Sequence, residues 1–396
     1  TDIPARAGEP MDWPAWVLPE VAAALRGHGI SAPWSHQVEA ADLAHAGRDV
    51  VISTGTASGK SLAFQLPILD ALARDPRARA LYLSPTKALG HDQLRTAHLL
   101  TAAIPDCHGV APMSYDGDTA ADIRRFARER SRWLFSNPDM IHLSLLRNHP
   151  RWAVFLRGLR YIVVDECHYY RGIFGSNVAM ILRRLLRLCA RYAPAGSAGP
   201  SVIFASATTA APGETAAELI GREVTEVTRD GSPHGDRTIA LWEPELRYDL
   251  AGENGAPVRR SAGAEAARML ADLVAEGART LAFVRSRRGA ELTALGARSR
   301  LEDIAPHLRD TVASYRAGYL AEDRRALERA LADGQLRGLA TTNALELGID
   351  ISGLDAVVMA GFPGTVASFW QQAGRCGRRG QGALVVLVAR DDALDT

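Results

Sequence analysis

Apolar residues along this chain fall into short solid runs separated by longer periodic stretches. The runs lie at residues 50–52, 80–84, 133–136, 161–164 and 202–205, and again at 280–284, 339–341, 356–360 and 383–389. Each is too short for a helix and lacks polar alternation, the pattern of a strand buried on both faces. Between the runs the apolar period becomes helical, over 20–26, up to His45, over 62–73, 176–191, 264–276 and near 322–333. In 176–191, Val178, Ile181, Leu182, Leu185, Leu186 and Cys189 share one face, while Arg183, Arg184, Arg187 and Arg191 lie elsewhere. Strands alternate with helices, so the expected fold class is α/β, with mainly parallel sheets flanked by helices. The alternation pauses at Gly231-Ser232-Pro233-His234-Gly235, read as a hinge, and a second Gly/Pro-rich loop is expected over 251–263. The expected organisation is an N-terminal extension over 1–32, one α/β domain over 33–230 and another over 236–396.

Polar motifs sit at the C-terminal ends of the strand-like runs, the edge where open parallel sheets bind ligands. The run at 50–52 leads through Ser53 into Thr54-Gly55-Thr56-Ala57-Ser58-Gly59-Lys60-Ser61, and a helical pattern follows. Strand, small-residue loop and helix make a phosphate cradle from backbone N–H groups and the positive end of the helix dipole. Lys60 would bridge the β- and γ-phosphates of ATP, and the Ser61 hydroxyl would hold Mg²⁺. The usual pattern places glycine five residues before Gly59, where Thr54 stands. The competing reading is a small polar turn between strand and helix. Lysine usage favours the cradle: of 46 Lys plus Arg, the two lysines are Lys60 and Lys87, each in a motif-like stretch. A compact ammonium fits among phosphates where a planar guanidinium does not.

Asp165-Glu166-Cys167-His168 follows the run at 161–164, 105 residues after Lys60. Asp165 can hold Mg²⁺ through water, and Glu166 can polarise the attacking water as general base. Arg375 and Arg378, beside Gly374 and Gly377, would share a face if their segment is helical. They suit arginine fingers that reach across an interdomain cleft to the γ-phosphate; the alternative is an exposed Arg-rich turn. Gln37 carries an amide able to read adenine, or is a surface residue. The five arginines of 124–132 suit a solvated face as well as a binding patch. The second α/β half has no phosphate loop of its own.

Composition adds limits. A chain of 396 residues that is 47% hydrophobic can hold about two domains with full cores. No apolar run is long enough to span a membrane, and no signal pattern opens the chain. The four cysteines are scattered without a CxxC pair, which argues against a zinc site or a disulfide framework and fits a reducing cytoplasm. The net charge of +1 does not announce nucleic acid.

Taken in order, Thr54–Ser61, Ser84–Leu89, Asp165–His168, Ser206-Ala207-Thr208, Thr342–Asp350 and Gln371–Gly380 resemble motifs I, Ia, II, III, V and VI of the superfamily 2 helicases. Tyr115-Asp116-Gly117-Asp118-Thr119, Tyr169–Ser176 and Tyr315–Tyr319 make the chain look like the MrfA-type bacterial DNA helicases, relatives of the RecQ-like repair helicases. The resemblance implies two tandem RecA-like domains with an interdomain ATP cleft. It implies an ATP- and Mg²⁺-dependent motor moving 3′→5′ on single-stranded DNA or a tailed duplex, in DNA repair. Under it, Gln37 reads adenine, and Gly348, Asp350, Gln371, Arg375 and Arg378 face the nucleotide. Ser206, Ala207 and Thr208 couple hydrolysis to movement. Pro85, Thr86, Lys87, Asn137 and Pro138 contact DNA in the first domain, and Arg285, Ser286, Tyr315 and Thr342 in the second. The family continues into a C-terminal domain with a metal-binding cysteine cluster, so this chain is expected to be the motor core alone. An RNA helicase, a remodelling translocase that does not unwind, and a P-loop switch without a nucleic-acid track remain alternatives.

Overall fold

The structure, a computed structural model, describes residues 1–251, 257–316, 318–346, 354–377 and 381–390. It falls into two compact units, Gly8–Ser232 and Thr1–Ala7 with Pro233–Thr396. In chain order the first strands are β1 (Asp2–Ile3), β2 (Val50–Ser53), β3 (Arg79–Leu83), β4 (Met113–Ser114), β5 (Trp133–Ser136), β6 (Leu159–Val164), β7 (Ser201–Ser206) and β8 (Thr225–Val227).

In the unit Gly8–Ser232 the described strands form one parallel sheet in the order β4-β5-β3-β6-β7-β2-β8. Alternate side chains enter two different cores. Val50, Ile52, Tyr82, Phe135 and Val163 face one layer, with the helices Pro19–Gly27, Ser35–His45, Ser61–Arg74 and Lys87–Ala103. Val51, Leu81, Leu83, Leu134 and Ile162 face the other, with the helix Gly172–Tyr192. Both faces are covered, which is why these strands read as continuous apolar runs. In Gly172–Tyr192 the residues expected on one face are the buried ones.

The N-terminal segment 1–32 is divided between the units. β1 pairs antiparallel with a strand of the second unit, while Leu18 N–H donates to the buried Asp70 at 3.0 Å and holds the following helix on the first.

The remaining strands are β9 (Arg237–Trp242), β10 (Leu246–Ala251), β11 (Pro257–Arg259), β12 (Thr280–Phe283), β13 (Val312–Tyr315), β14 (Gly338–Thr341), β15 (Ala356–Ala360) and β16 (Ala383–Val388). The second sheet runs β1-β9-β16-β15-β12-β14-β13, parallel except for β1. The loop expected over 251–263 contains regular structure among its described residues: β10 and β11 pair antiparallel, and a helix starts at Ala262. Glycine and proline punctuate a chain but do not forbid a two-stranded ribbon. Among the described residues no helix is long and apolar enough to cross a membrane.

Candidate functional site

The loop after β2 enters directly into the helix Ser61–Arg74. Its backbone explains how Thr54 can replace a glycine. The residues with positive φ are Ala57 at 65° and Gly59 at 79°, and Thr54 is not among them. Thr54 is buried and its hydroxyl lies 2.7 Å from the Ser58 hydroxyl, closing the loop on itself. The steric demand falls on Ala57, which holds a left-handed conformation at a cost of about 1–2 kcal/mol. Gly59 is required twice: its φ is left-handed, and an added Cβ would lie 2.5 Å from Gln37 Nε2. Lys60 Nζ donates to the carbonyls of Thr54 and Gly55 at 3.1 and 2.8 Å, so the loop curls around its own lysine. Burial lowers the Lys60 ammonium below the usual lysine range, opposed by the charges of Glu166, Asp165 and Asp230.

Gln37 does not stand open at the surface. It is buried; Oε1 accepts from Trp34 N–H at 2.7 Å, and Nε2 donates to Gly59 O at 2.9 Å and Ser58 O at 3.3 Å. It clamps the start of its helix to the phosphate loop. Two residues that carried no motif complete this clamp. His36 Nδ1 accepts from Gly231 N–H at 3.0 Å, which leaves Nε2 protonated to donate to Ser58 O at 3.1 Å. Asp230 Oδ2 accepts from Gly55 N–H at 3.2 Å. The loop is thereby tied to the residues at the end of the unit. The sequence signal for Asp230 is its position just before the glycine of the hinge.

Asp165 leaves β6 two strands from β2 in the sheet and is buried. Both carboxylate oxygens are engaged, one by the Tyr82 hydroxyl and one by Glu166 N–H at 2.9 Å. Burial raises the Asp165 carboxyl above the ordinary range, opposed by the Tyr82 hydrogen bond, Glu166 N–H and Lys60. Glu166 takes φ 49°, a strained conformation at the position assigned to the general base. His168 Nδ1 lies 3.3 Å from Glu166 Oε2, 3.4 Å from Ala207 N and 3.5 Å from Ser206 Oγ. Protonated, Nδ1 donates to Glu166; unprotonated, it accepts from Ala207 N–H. One ring nitrogen is therefore placed to bond either the acidic pair or the end of β7, according to its protonation. Ser206 is buried and Thr208 exposed.

Ser61 and Asp165 suit Mg²⁺ and a nucleotide phosphate: they offer hard oxygen donors, and Mg²⁺ characteristically takes one or two protein ligands besides phosphate and water. Among the described residues no cluster of three or more His, Cys, Asp or Glu offers an all-protein cage.

Elsewhere on the same edge, the Thr86 hydroxyl caps the helix Lys87–Ala103 by accepting from Leu89 N–H, and Pro85 precedes it. Lys87 is exposed and pairs with Asp118 at 2.7 Å. Asn137 caps the next helical turn through Met140 N–H at 3.0 Å, with Pro138 buried behind it.

In the second unit the motifs again follow strands. Arg285 donates to Phe362 O at 3.0 Å, and Ser286 caps the helix Arg287–Ile304 through Gly289 N–H at 2.9 Å. Thr342 is buried and accepts from Ala344 N–H. Tyr315 corrects an expectation. Its side chain is 2% exposed and its hydroxyl donates to Glu328 at 2.8 Å, so the ring belongs to the core and offers no face to a strand. The helix Val366–Ala373 ends before Arg375, and Gly377 turns at φ 78°. The described part of the segment expected to be helical is therefore not helical after Gly374. Arg375 and Gln371 are buried, and Arg375 donates to the carbonyl of Glu346. Gly348, Asp350 and Arg378 lie outside the described residues.

Residues 34–215 match the DEAD/DEAH box helicase family, and residues 265–380 match the helicase conserved C-terminal domain. The chain is 43% identical over 366 residues to ATP-dependent helicase HRQ1 of Saccharomyces cerevisiae, covering 91% of this chain and 33% of that protein. It is 37% identical over 405 residues to the uncharacterized ATP-dependent helicase YprA of Bacillus subtilis, covering 100% and 51%. The crystal structure of DUF1998 helicase MrfA bound to DNA and AMPPNP matches with a TM-score of 0.91 at 36% identity, covering 100% of this chain and 53% of that one. The chain thus spans about half or less of the length of these relatives. With both helicase domains matched in order, and the loop, acidic box and strand-end motifs distributed between them, the chain belongs to the superfamily 2 helicases and carries the two RecA-like domains of an MrfA-type motor core.

Proposed function

We propose that this chain is a DNA-stimulated ATPase that drives 3′→5′ movement on single-stranded DNA, as the motor of a cytoplasmic repair helicase. The observation that carries this reading is the gathering of Lys60, Asp165 and Glu166, with His168 placed between Glu166 on one side and Ser206 and Ala207 on the other. That is an arrangement for hydrolysis with a mechanical output. The loop from Thr54 through Gly55, Thr56, Ala57, Ser58 and Gly59 would hold phosphate through backbone N–H groups. Ser61 and Asp165 would hold Mg²⁺, which supplies charge neutralisation on the phosphates. Glu166 takes the proton of the attacking water at its carboxylate. Gln37 is assigned to adenine once its amide leaves the loop carbonyls. Arg375, Arg378, Gln371, Gly348 and Asp350 are assigned to the nucleotide.

For DNA, Pro85, Thr86, Lys87, Asn137 and Pro138 are assigned to the backbone in the first unit, and Arg285, Ser286 and Thr342 in the second. The DNA in the MrfA structure supports a DNA track. Backbone contacts carry little base information, so weak sequence preference and strong salt dependence are expected. The four buried, unbridged cysteines support a reducing compartment.

The test is ATP hydrolysis with and without single-stranded DNA, beside RNA of equal length, for wild type and Lys60→Ala. Stimulation by DNA, lost in Lys60→Ala, is expected. Absence of stimulation by any polynucleotide would overturn the reading, and preference for RNA would change its track.

A further inference from the structure

The net charge of +1 conceals a segregation of charge in the first unit. Residues 140–164 and 167–213 contain no Asp or Glu, yet carry nine arginines, in a chain with 45 acids among 396 residues. These two runs meet. The segment after Asn137 continues as a π-helical stretch, Ile141–Leu146, and packs beside the helix Gly172–Tyr192. Between them is an open pocket of about 560 Å³ lined by Arg147, His149, Arg184, Arg187 and Arg191, floored by Leu146 and Leu188.

Arg184, Arg187 and Arg191 are spaced three and four apart, on one ridge of a helix whose opposite face is buried. The helix holds them rigidly. His149 is fixed by the Tyr192 hydroxyl at 2.7 Å, and Arg184 Nη1 lies 3.4 Å from His142 Nδ1. Among the described residues no carboxylate pairs with any of the four pocket arginines. Arg74, Arg95, Arg229 and Arg309, by contrast, each have an acidic partner within 2.7 Å. Four guanidinium groups held together without a counterion form a site for a polyanion.

We propose that this pocket binds the phosphodiester backbone of nucleic acid, as a second grip outside the helicase motifs. The inference rests on the DNA reading above. Continuity favours this occupant over an acidic protein segment. The pocket begins at the far end of the same short helical segment that Asn137 caps. A strand held at Asn137 has its own flanking phosphates to offer along that segment. The guanidinium fork matches phosphate oxygens in pairs, and contacts of this kind are indifferent to sequence.

The test is the triple variant Arg184→Gln, Arg187→Gln, Arg191→Gln in the whole chain. Glutamine keeps helix propensity on an exposed face, and an unchanged thermal midpoint checks the fold. DNA binding is measured by anisotropy from low to high salt, beside DNA-stimulated hydrolysis. The expected result is affinity weaker by on the order of tenfold at low salt, with a log–log salt slope shallower by about two to three, restored by Arg→Lys at the same positions. Equal affinity and slope in variant and wild type would overturn the proposal, and an acidic protein partner would give that outcome. Wild type that binds DNA without stimulated hydrolysis would sink the motor reading, while the slopes still decide the pocket. Wild type that does not bind DNA would remove both.

Discussion

Two buried acids, Asp165 in the first unit and Glu265 in the second, end up shifted in opposite directions. Asp165 has its carboxyl raised, because desolvation outweighs the Tyr82 hydroxyl, one backbone N–H and Lys60. Glu265 is 3% exposed, yet its carboxyl is held below the ordinary range. Desolvation is again the largest single influence on it, but Arg268 and Arg260, acting together, outweigh it. Trp242 Nε1 donates to it at 3.0 Å, Arg260 at 3.1 Å and Arg268 at 2.5 Å. Glu265 is a satisfied charge that ties β9 to the helix Ala262–Ala275. Asp165 is an incompletely compensated charge at a strand end, with a strained neighbour. Both are buried, Asp165 at a strand end and Glu265 in the first turn of a helix, so burial does not distinguish them. The balance of desolvation against partners does, and groups left on the costly side cluster where chemistry is done.

The largest test of that division uses Arg375. If it supplies transition-state charge, Arg375→Ala should cut turnover by about 10³–10⁵ while nucleotide binding persists. Its buried hydrogen bond to Glu346 allows the opposite result. A lower unfolding midpoint with normal residual turnover would make Arg375 structural, like Glu265.

Glu166→Gln comes next. Turnover should fall by about 10²–10⁴ with ATP binding retained, measured by single-turnover hydrolysis beside nucleotide titration. Retained turnover would remove the general base from the first unit and with it the contrast. Smaller still is His168→Gln, which removes the ring nitrogen that faces both Glu166 and Ala207 without touching the loop. DNA stimulation should drop by about tenfold with little change in unstimulated hydrolysis. Equal loss of both rates would make His168 a support of Glu166 alone.

What the sequence revealed follows the same physics. Central strands such as β2, β6 and β15 were legible because burial on both faces leaves an unbroken apolar run. β8, β9 and β13 were not, because they are short or partly exposed and mix polar with apolar positions. The positions of the loop after β2 and of Asp165 and Glu166 after β6 were legible because the proposed chemistry restricts residue type and spacing locally. His36 and Asp230 were not, since their contact with the loop joins positions 22 and 175 residues apart. Tyr315 misled for the opposite reason: a motif position does not say which way a ring points, and this one points into the core.

Glu265→Gln gives the smallest effect and the sharpest contrast. Glutamine keeps the shape and one acceptor but removes the charge that Arg260 and Arg268 surround. Both arginines are partly exposed, so solvent screens the pair and the loss should be about 1 kcal/mol rather than several. The pH dependence has a definite sign. A carboxyl held below its ordinary value contributes stability that is fully present above the ordinary glutamate range. That contribution is lost as pH falls through the depressed value. Wild type should therefore be more stable than Glu265→Gln at neutral pH, and the two should converge in acid, while DNA-stimulated turnover is the same in both. Denaturant unfolding across the acid range measures the first part and a hydrolysis assay the second. A gap that persists in acid would assign the effect to packing, and a loss of turnover without a loss of stability would place Glu265 on the same side of the comparison as Asp165.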